Sequence, residues 1–567
     1  MGEQGGFKRA LSLWPWLAAL ASGLLCTACF PPFNYSWLCW IALTPLIAAI
    51  WFSGPKGKQC WVRDLLLGYV AGLAFFWTVL SWLTTVTALG WFLLQFYMAI
   101  YFALWAGLCG LLRPVEAAVP AAAETETPAA SKWDEMLARA GREPSPPNIP
   151  WLKSIHNLRV AFLLACAWVT HEWFRGWVFS GWGWNGLGVA LHEIWPIIQI
   201  AEFTGVAGLS FMTAFANVIA VTTARRLILE ARVRPMRPHY DLTLTMAAMV
   251  GLLGFGWNAA KNRQPAKPVQ VAAIQANIPR KEKFDPQFTQ KIFDQFKRLS
   301  EIALQSSPPP DLLVWPESSM PGPVLLDADS HQFVMSFSAA AKTDVMLGTI
   351  DEEEGRSYNA ALLVSDEGKH VQLYRKLHLV PFGEYIPGRH SVPLLAQIVG
   401  DQVPGDFDVG TDYTVFRLTR ADVQIAPLIC FEDTIGELTR RFVLGGANLL
   451  VNVTNDGWFK ESAGSRQHLA NAVFRCVETR RPMVRAANTG VTCFVNEFGR
   501  VTQILRDENG NTFIDGVLTG EVNVPTERHL TFYARHGELF AKLCAGVTLI
   551  TLVVIAFRLI VRRRSSL

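Results

Sequence analysis

Eight apolar runs constrain this chain more than any other feature. They lie near residues 11–30, 35–53, 65–84, 87–112, 159–178, 195–222, 241–260 and 538–560. Each is long enough, or nearly so, to cross a hydrocarbon core of ~30 Å at ~1.5 Å per helical residue. A backbone in lipid must satisfy its own hydrogen bonds, so such runs predict helices. Residues 1–260 are expected to form a polytopic membrane domain with seven transmembrane helices. Residues 536–567 add an eighth span and a basic cytoplasmic tail. Lys8 and Arg9 precede the first run, and no small-residue cleavage site follows it. It reads as a retained span rather than a removed signal peptide. Pro196 and Gly205 interrupt the sixth run.

Basic residues orient the spans. Lys8, Arg9, Lys56, Lys58 and Arg63 flank the first three runs. Arg225, Arg226, Arg232, Arg234 and Arg237 separate the sixth from the seventh, and Arg562, Arg563 and Arg564 follow the eighth. All fall on one side if every run crosses. That side is the cytoplasm, which leaves residues 261–535 outside it. Residues 114–157 are rich in Ala, Pro and Glu and read as a low-complexity cytoplasmic loop, with one short helix allowed over 133–140.

The stretch 261–535 has a soluble pattern. Short apolar runs predict strands at Val269–Gln275, Asp311–Trp315, Val345–Thr349, Ala360–Val364, Val423–Ile429, Asn448–Val453, Met483–Asn488 and Val491–Val495. Helical periodicity predicts Pro286–Leu304, His331–Ala341, Ile435–Leu444 and Ser465–Arg480. Alternating strands and helices imply an α/β sandwich. Of the ten Cys, Cys430, Cys476 and Cys493 belong to this part. Three thiols cannot all pair internally, so at least one is expected to be free. No Cys/His spacing suggests zinc, and no Gly-rich phosphate loop occurs. The formal net charge of +4 carries no nucleic-acid signal beyond membrane topology.

Three segments bear the chemistry. Trp315-Pro316-Glu317, Tyr374-Arg375-Lys376-Leu377-His378 and Ile429-Cys430-Phe431-Glu432 offer a carboxylate, an ammonium and a thiol. That set serves thiol-based acyl transfer. Cys430 at a strand-to-helix turn is placed for attack, and backbone N–H groups there can face an oxyanion. A nearby cation is expected to lower its pKa and favour thiolate. Glu317 at an apolar strand end should have a raised pKa, as a general acid–base needs. Lys376 is expected to stabilise a tetrahedral intermediate. Glu384 and Glu432 are supporting acids that could orient Lys376, position an incoming amine or form structural salt bridges. His378 and His468 have no partner visible in the sequence and read as non-catalytic. A nucleophile held against a bilayer suggests a lipid as acyl donor.

Trp315–Ser318, Tyr374–Pro387, Ile429–Asp433 and Thr454–Phe459 resemble the carbon–nitrogen hydrolase (nitrilase) superfamily. Glu172–Trp177, Glu202–Gly205, Gln275–Pro279 and Arg485–Gly490 narrow the resemblance to the apolipoprotein N-acyltransferase family of bacterial envelopes. The resemblance implies an αββα sandwich in the periplasm over residues 261–535. It implies a catalytic triad of Glu317, Lys376 and Cys430, with Glu384 and Glu432 supporting it. It implies an oxyanion contact from the Phe431 backbone and a two-step transfer through a cysteine thioester. The implied partners are a phospholipid donor and a diacylglyceryl-modified apolipoprotein, at the inner membrane, with the chain a monomer. No metal or organic cofactor is implied. Phe284 and Phe431 stand where the family can carry Trp and Tyr, so neither offers those residues' hydrogen bonds. The 114–157 loop is longer than the family leads one to expect. A membrane-tethered nitrilase-type amidase, with water as second nucleophile, and a non-catalytic scaffold are the alternatives. Seven preceding spans argue against a mere tether, and an intact triad argues against a scaffold.

Overall fold

The computed structural model describes residues 2–53, 60–113, 150–230, 239–365, 367–387, 389, 405–418 and 421–565. Twelve strands make two six-stranded sheets. The first holds β1 (Ala266–Gln275), β2 (Leu312–Val314), β3 (Asp344–Glu353), β4 (Arg356–Ser365), β5 (His370–Arg375) and β12 (Gly516–Pro525), in the order β12-β1-β2-β3-β4-β5. The second holds β6 (Phe416–Leu418), β7 (Val423–Ile429), β8 (Leu449–Thr454), β9 (Met483–Ala487), β10 (Cys493–Val495) and β11 (Val501–Ile504), in the order β11-β10-β9-β8-β7-β6. In each sheet three parallel strands sit among antiparallel neighbours.

Side-chain alternation builds the layers. Val271, Ala273, Leu312, Val314, Met346, Ala361 and Leu363 share one core with Ala426, Leu428, Leu450 and Val484 of the facing sheet. The intervening Ala272, Ile274, Leu313, Val345, Leu347 and Leu362 share another with Phe296 and Val334 of the outer helices α8 (Thr289–Leu304) and α9 (Ala328–Ala341). Helices α10 (Gly436–Leu444) and α11 (Gly464–Thr479) pack by the second sheet. The expected αββα order follows. Helix α11 is buried on every side, from Gly464 to Thr479 with few exceptions. An amphipathic covering helix would expose one face. Here that face meets the helical half of the chain.

The helical half contains α1 (Gly2–Ala28), α2 (Thr44–Phe52), α3 (Trp61–Val79), α4 (Ala88–Leu111), α5 (Pro150–Arg175), α6 (Val206–Glu230), α7 (Tyr240–Ala259) and, after the sheets, α12 (Leu539–Ser565). Among the described residues five helices are long and apolar enough to cross a membrane: α3, α4, Val206–Ile228, α7 and Leu539–Val561. Leu13–Ala28 is a shorter apolar helix. Helix α5 spans the expected fifth run and carries Arg159, His171, Glu172 and Arg175. Its start at Pro150 assigns residues 150–157 to a helix rather than to the loop expected over 114–157. The remainder of that loop, 114–149, lies outside the described residues, as does the short helix expected at 133–140.

Two expected spans are corrected. The run 35–53 is not one helix but a 3-10 turn, Ser36–Trp40, followed by α2. The break is satisfied by buried side chains. Asn217 of α6 accepts from the Leu43 N–H at 2.8 Å and donates to the Cys39 carbonyl at 2.8 Å, and Ser22 accepts from the Leu46 N–H at 2.9 Å. Irregular backbone at membrane depth needs such partners. The run 195–222 is also divided. Trp195–Ile198 and Ala201–Thr204 are short turns under the α/β part, and α6 begins only after Gly205, whose φ is +62°. Gln199 donates to the Phe498 carbonyl at 3.0 Å, and Arg480 pairs with Glu202 at 2.6 Å, so this stretch docks the sheets instead of crossing.

Candidate active site

Glu317, Lys376 and Cys430 each follow the carboxyl end of a strand, β2, β5 and β7. Ligand sites of α/β sheets favour that edge. The turn after β2 is held by Trp315 N–H to the Met346 carbonyl at 2.8 Å and Gly348 N–H to the Pro316 carbonyl at 3.1 Å. A Cβ at position 348 would lie 2.5 Å from Glu317 Cα, so only glycine lets β3 approach this closely. Ser318 and Cys430 both take left-handed backbone, with φ of +46° and +52°. Such conformations are uncommon for non-glycine residues and cluster at functional sites. Ser319 donates to the Pro316 carbonyl and fixes the first turn. Asn452 donates to the Cys430 carbonyl at 2.9 Å and fixes the second.

The acids divide their work. Glu384 takes two hydrogen bonds from the Lys376 ammonium, at 2.9 and 2.8 Å, and one from the Val380 N–H at 2.8 Å. Glu432 does not touch Lys376. Its Oε1 accepts from Tyr374 Oη, Leu377 N–H and His378 N–H at 2.9, 2.8 and 3.1 Å, and its Oε2 from Ile429 N–H at 2.9 Å. It therefore ties the Lys376 segment to the Cys430 turn. Asn359 bridges Glu317 and Glu384, donating at 2.8 and 2.6 Å. The second carboxylate oxygen of Glu317 is buried and accepts no hydrogen bond among the described residues.

Burial raises the Glu317 pKa, helped by the charge of Glu384 and opposed by Lys376. Burial lifts Glu432 to about 7 against the pull of Lys376. Burial works against the Lys376 charge, but Glu384 and its neighbours outweigh it and hold the ammonium protonated. The expected low thiol pKa is corrected. Burial pushes the Cys430 thiol well up, and Glu317 adds to the rise while Lys376 opposes it. The cation is already neutralised by Glu384, and the helical turn after Cys430 has only five residues.

His468 has partners after all. Its Nδ1 lies 3.0 Å from Asp456 and its Nε2 2.9 Å from Asp433. Arg485 bonds both acids, and all four groups are buried. Burial opposes the imidazolium, but the two carboxylates win and raise its pKa. The His378 ring stacks on Phe431, and burial with Lys376 lowers its pKa to about 4.

A cavity of about 950 Å³ contains this chemistry. Glu317, Lys376 and Cys430 line it together with Leu89, Leu93 and Leu94 of α4. Its size is at the top of the usual ligand range. One cavity is thus lined both by the charged residues and by a helix long and apolar enough to cross a membrane.

The family model of the carbon–nitrogen hydrolases matches residues 270–530, and that of the apolipoprotein N-acyltransferase N-terminal domain matches residues 22–219. The apolipoprotein N-acyltransferase of Geobacter metallireducens is 33% identical over 550 residues, covering 96% of this chain and 95% of that protein. The chain belongs to the apolipoprotein N-acyltransferase family. The Brucella suis member is 28% identical over 92% of this chain and 91% of its own length, and the Chlorobaculum tepidum member 27% over 98% and 99%.

Within this acyltransferase chain, the sequence reading missed several site residues. Asn359 lies inside β4, where a lone polar residue at the end of an apolar run was its only sign. Lys283 is buried and donates to the Glu317 main-chain carbonyl at 2.6 Å. Trp182 and Trp184 stack on Phe431, at 5.7 and 6.0 Å between ring centroids.

Proposed function

We propose that this chain transfers a fatty acyl group from a membrane phospholipid to the N-terminal amine of diacylglyceryl-cysteine in bacterial apolipoproteins. The observation that carries the reading is the shared cavity, which puts a thiol, a base and a cation in one space with apolar side chains of α4. Glu317 takes the proton of the Cys430 thiol as the sulfur attacks the ester carbonyl. The new S–C bond gives an oxyanion, stabilised by the Lys376 ammonium and the Phe431 N–H. Collapse breaks the ester C–O bond, and Glu317 returns the proton to the departing lysophospholipid oxygen. The acyl group remains as a thioester. The acceptor amine, with a pKa of ~7.7–8.0, is partly protonated at neutral pH. Glu317 removes its proton, the amine attacks the thioester carbonyl, and an amide forms as the thiol regains its proton.

The proposed setting is the inner membrane, crossed by eight segments of which 35–53 is a broken one, with the α/β domain in the periplasm. Two ion clusters, one part-buried and one buried, agree with it. Arg63 and Arg113 flank Asp64, and Arg226 pairs with Asp241. Both lie at the helix ends away from the sheets, where basic residues collect. Binding both lipidated substrates in one plane with the thiol would lower the entropic cost of encounter.

The test is mass spectrometry of full-length protein in detergent. Phospholipid alone should leave a hydroxylamine-labile acyl adduct on Cys430. A diacylated lipopeptide with a free amine should discharge it to an N-acylated product, and Cys430→Ala should do neither. Fatty acid released without lipopeptide, as fast as turnover with it, would make the chain a hydrolase.

A further inference from the structure

Two cations in the cavity are left over by the mechanism. Arg280 lies face-on to the Trp458 indole, its guanidinium carbon 3.4 Å from the ring centroid. Stacking uses the face of the guanidinium and leaves its N–H edge available. No carboxylate pairs with Arg280 among the described residues. Lys283 is 2% exposed, and its ammonium makes one hydrogen bond, to the neutral Glu317 carbonyl oxygen. The nearby Glu317 carboxylate is its counter-charge, but an ammonium has three donors, and two of these have no partner among the described residues. Both residues line the cavity of Glu317, Lys376 and Cys430. Of the other acids along that wall, Asp406 is bonded to Arg389 at 3.0 Å, Glu384 to Lys376, and Glu352 is solvent-exposed.

We propose that Arg280 and Lys283 form a phosphodiester subsite that seats the headgroup phosphate of the acyl-donor lipid beside the triad. The proposal rests on the reading of a phospholipid donor. A phosphodiester carries one negative charge on two free oxygens, which suits an Arg edge and a Lys point charge together. Lys283 touches the main chain of Glu317 itself, so an anion held there is one side chain from the base. The apolar wall at Leu89 and Leu93 leaves room for chains rather than for a free ion alone. Phe284, also on the wall and 53% exposed, adds an apolar surface next to Lys283.

The experiment compares two acyl donors with the same chains, a phospholipid and the diacylglycerol lacking its phosphate. The rate of Cys430 adduct formation is measured on full-length protein. Wild type should prefer the phospholipid by about tenfold or more, the scale of charge-assisted hydrogen bonds. Arg280→Gln should erase most of that preference while leaving the diacylglycerol rate within about threefold, and Arg280→Lys should keep part of it; Lys283→Gln, which also frees the Glu317 main chain, should slow both donors but the phospholipid more. Equal losses on both donors, or none on either, would overturn the subsite alone. So would a defect confined to discharge by lipopeptide. Inorganic phosphate that competes in wild type without any preference between the donors would assign a free-anion site and overturn the lipid one. No adduct on wild type with either donor would overturn the acyl-transfer reading itself, and the subsite with it.

Discussion

Trp184 of the helical half lies parallel to Phe431 of the sheet half, with ring planes 5° apart and centroids separated by 6.0 Å. Phe431 is the residue after Cys430, the proposed nucleophile. The stack therefore couples the position of its N–H, the proposed oxyanion donor, to a segment outside the α/β domain. Aromatic pairs contribute about 0.5–1.5 kcal/mol beyond area burial. Trp184→Ala should lower the melting temperature and slow Cys430 acylation roughly five- to tenfold. Phe431→Tyr keeps the ring and should stay within about threefold of wild type. Acylation in Trp184→Ala at the wild-type rate would remove the coupling.

Cys430 should alkylate slowly at neutral pH when no substrate is present. Only the thiolate reacts, and the buried thiol has a raised pKa. The iodoacetamide rate should climb about tenfold per pH unit from 6 to 9. Lys376→Met should slow it further by removing the cation that opposes the rise. A fast rate that is flat with pH would mean a resting thiolate and would relieve Glu317 of the first proton transfer.

Glu384→Gln should be severe even though Glu384 need not touch substrate. It leaves the buried Lys376 ammonium without its two charged bonds. Breaking a buried pair from one side costs about 3–5 kcal/mol. Lys376→Met combined with Glu384→Gln should recover part of the lost stability while remaining inactive. Denaturant titration of the four proteins gives the coupling. Additive losses in the double variant would mean that the pair does not act as a unit.

The strands that carry the chemistry were legible because burial wrote them plainly. Val423–Ile429 is an apolar run ending at a polar turn, and β7 has those bounds. Glu317 and Cys430 were visible for the same reason, as reactive groups at the ends of such runs. β5 was not, because its sequence HVQLYR is mixed and only half-buried. β12 was missed likewise, since its first half is only half-buried and polar residues interrupt it. Asn359 was hidden because its role depends on register: β4 beside β5 brings the Lys376 N–H to the Asn359 carbonyl at 2.8 Å. The break in 35–53 was hidden because the side chain that satisfies it, Asn217, is 174 residues from Leu43. Periodicity reports burial, and it says nothing of which distant group completes a site.

The proposed orientation makes a labelling prediction. In a background with the native cysteines replaced, Glu508→Cys in the α/β part should react with an impermeant maleimide in intact spheroplasts. Arg564→Cys at the end of α12 should react only after lysis. The reverse pattern would put the thiol in the cytoplasm and remove it from the lipoprotein substrate.

Gln467 should govern the docking of the two halves. Its Oε1 accepts from Trp82 Nε1, Asn185 Nδ2 and Trp184 Nε1 at 2.9, 3.0 and 3.1 Å. Its Nε2 donates to the Pro31 and Val79 carbonyls at 2.8 and 3.0 Å. One side chain of α11 thus reaches three separate stretches of the helical half, at Pro31, Val79–Trp82 and Trp184–Asn185. Gln467→Leu loses all five bonds at about 1 kcal/mol each and strands buried donors and carbonyls. Gln467→Glu should be worse, since a carboxylate cannot donate to the two carbonyls and brings a buried charge against them. Both should melt earlier than wild type and expose the 185–200 stretch to limited proteolysis, with Glu below Leu. Two variants that melt with wild type and resist the protease equally would show that docking rests elsewhere, on the Arg480–Glu202 pair and the aromatic stack.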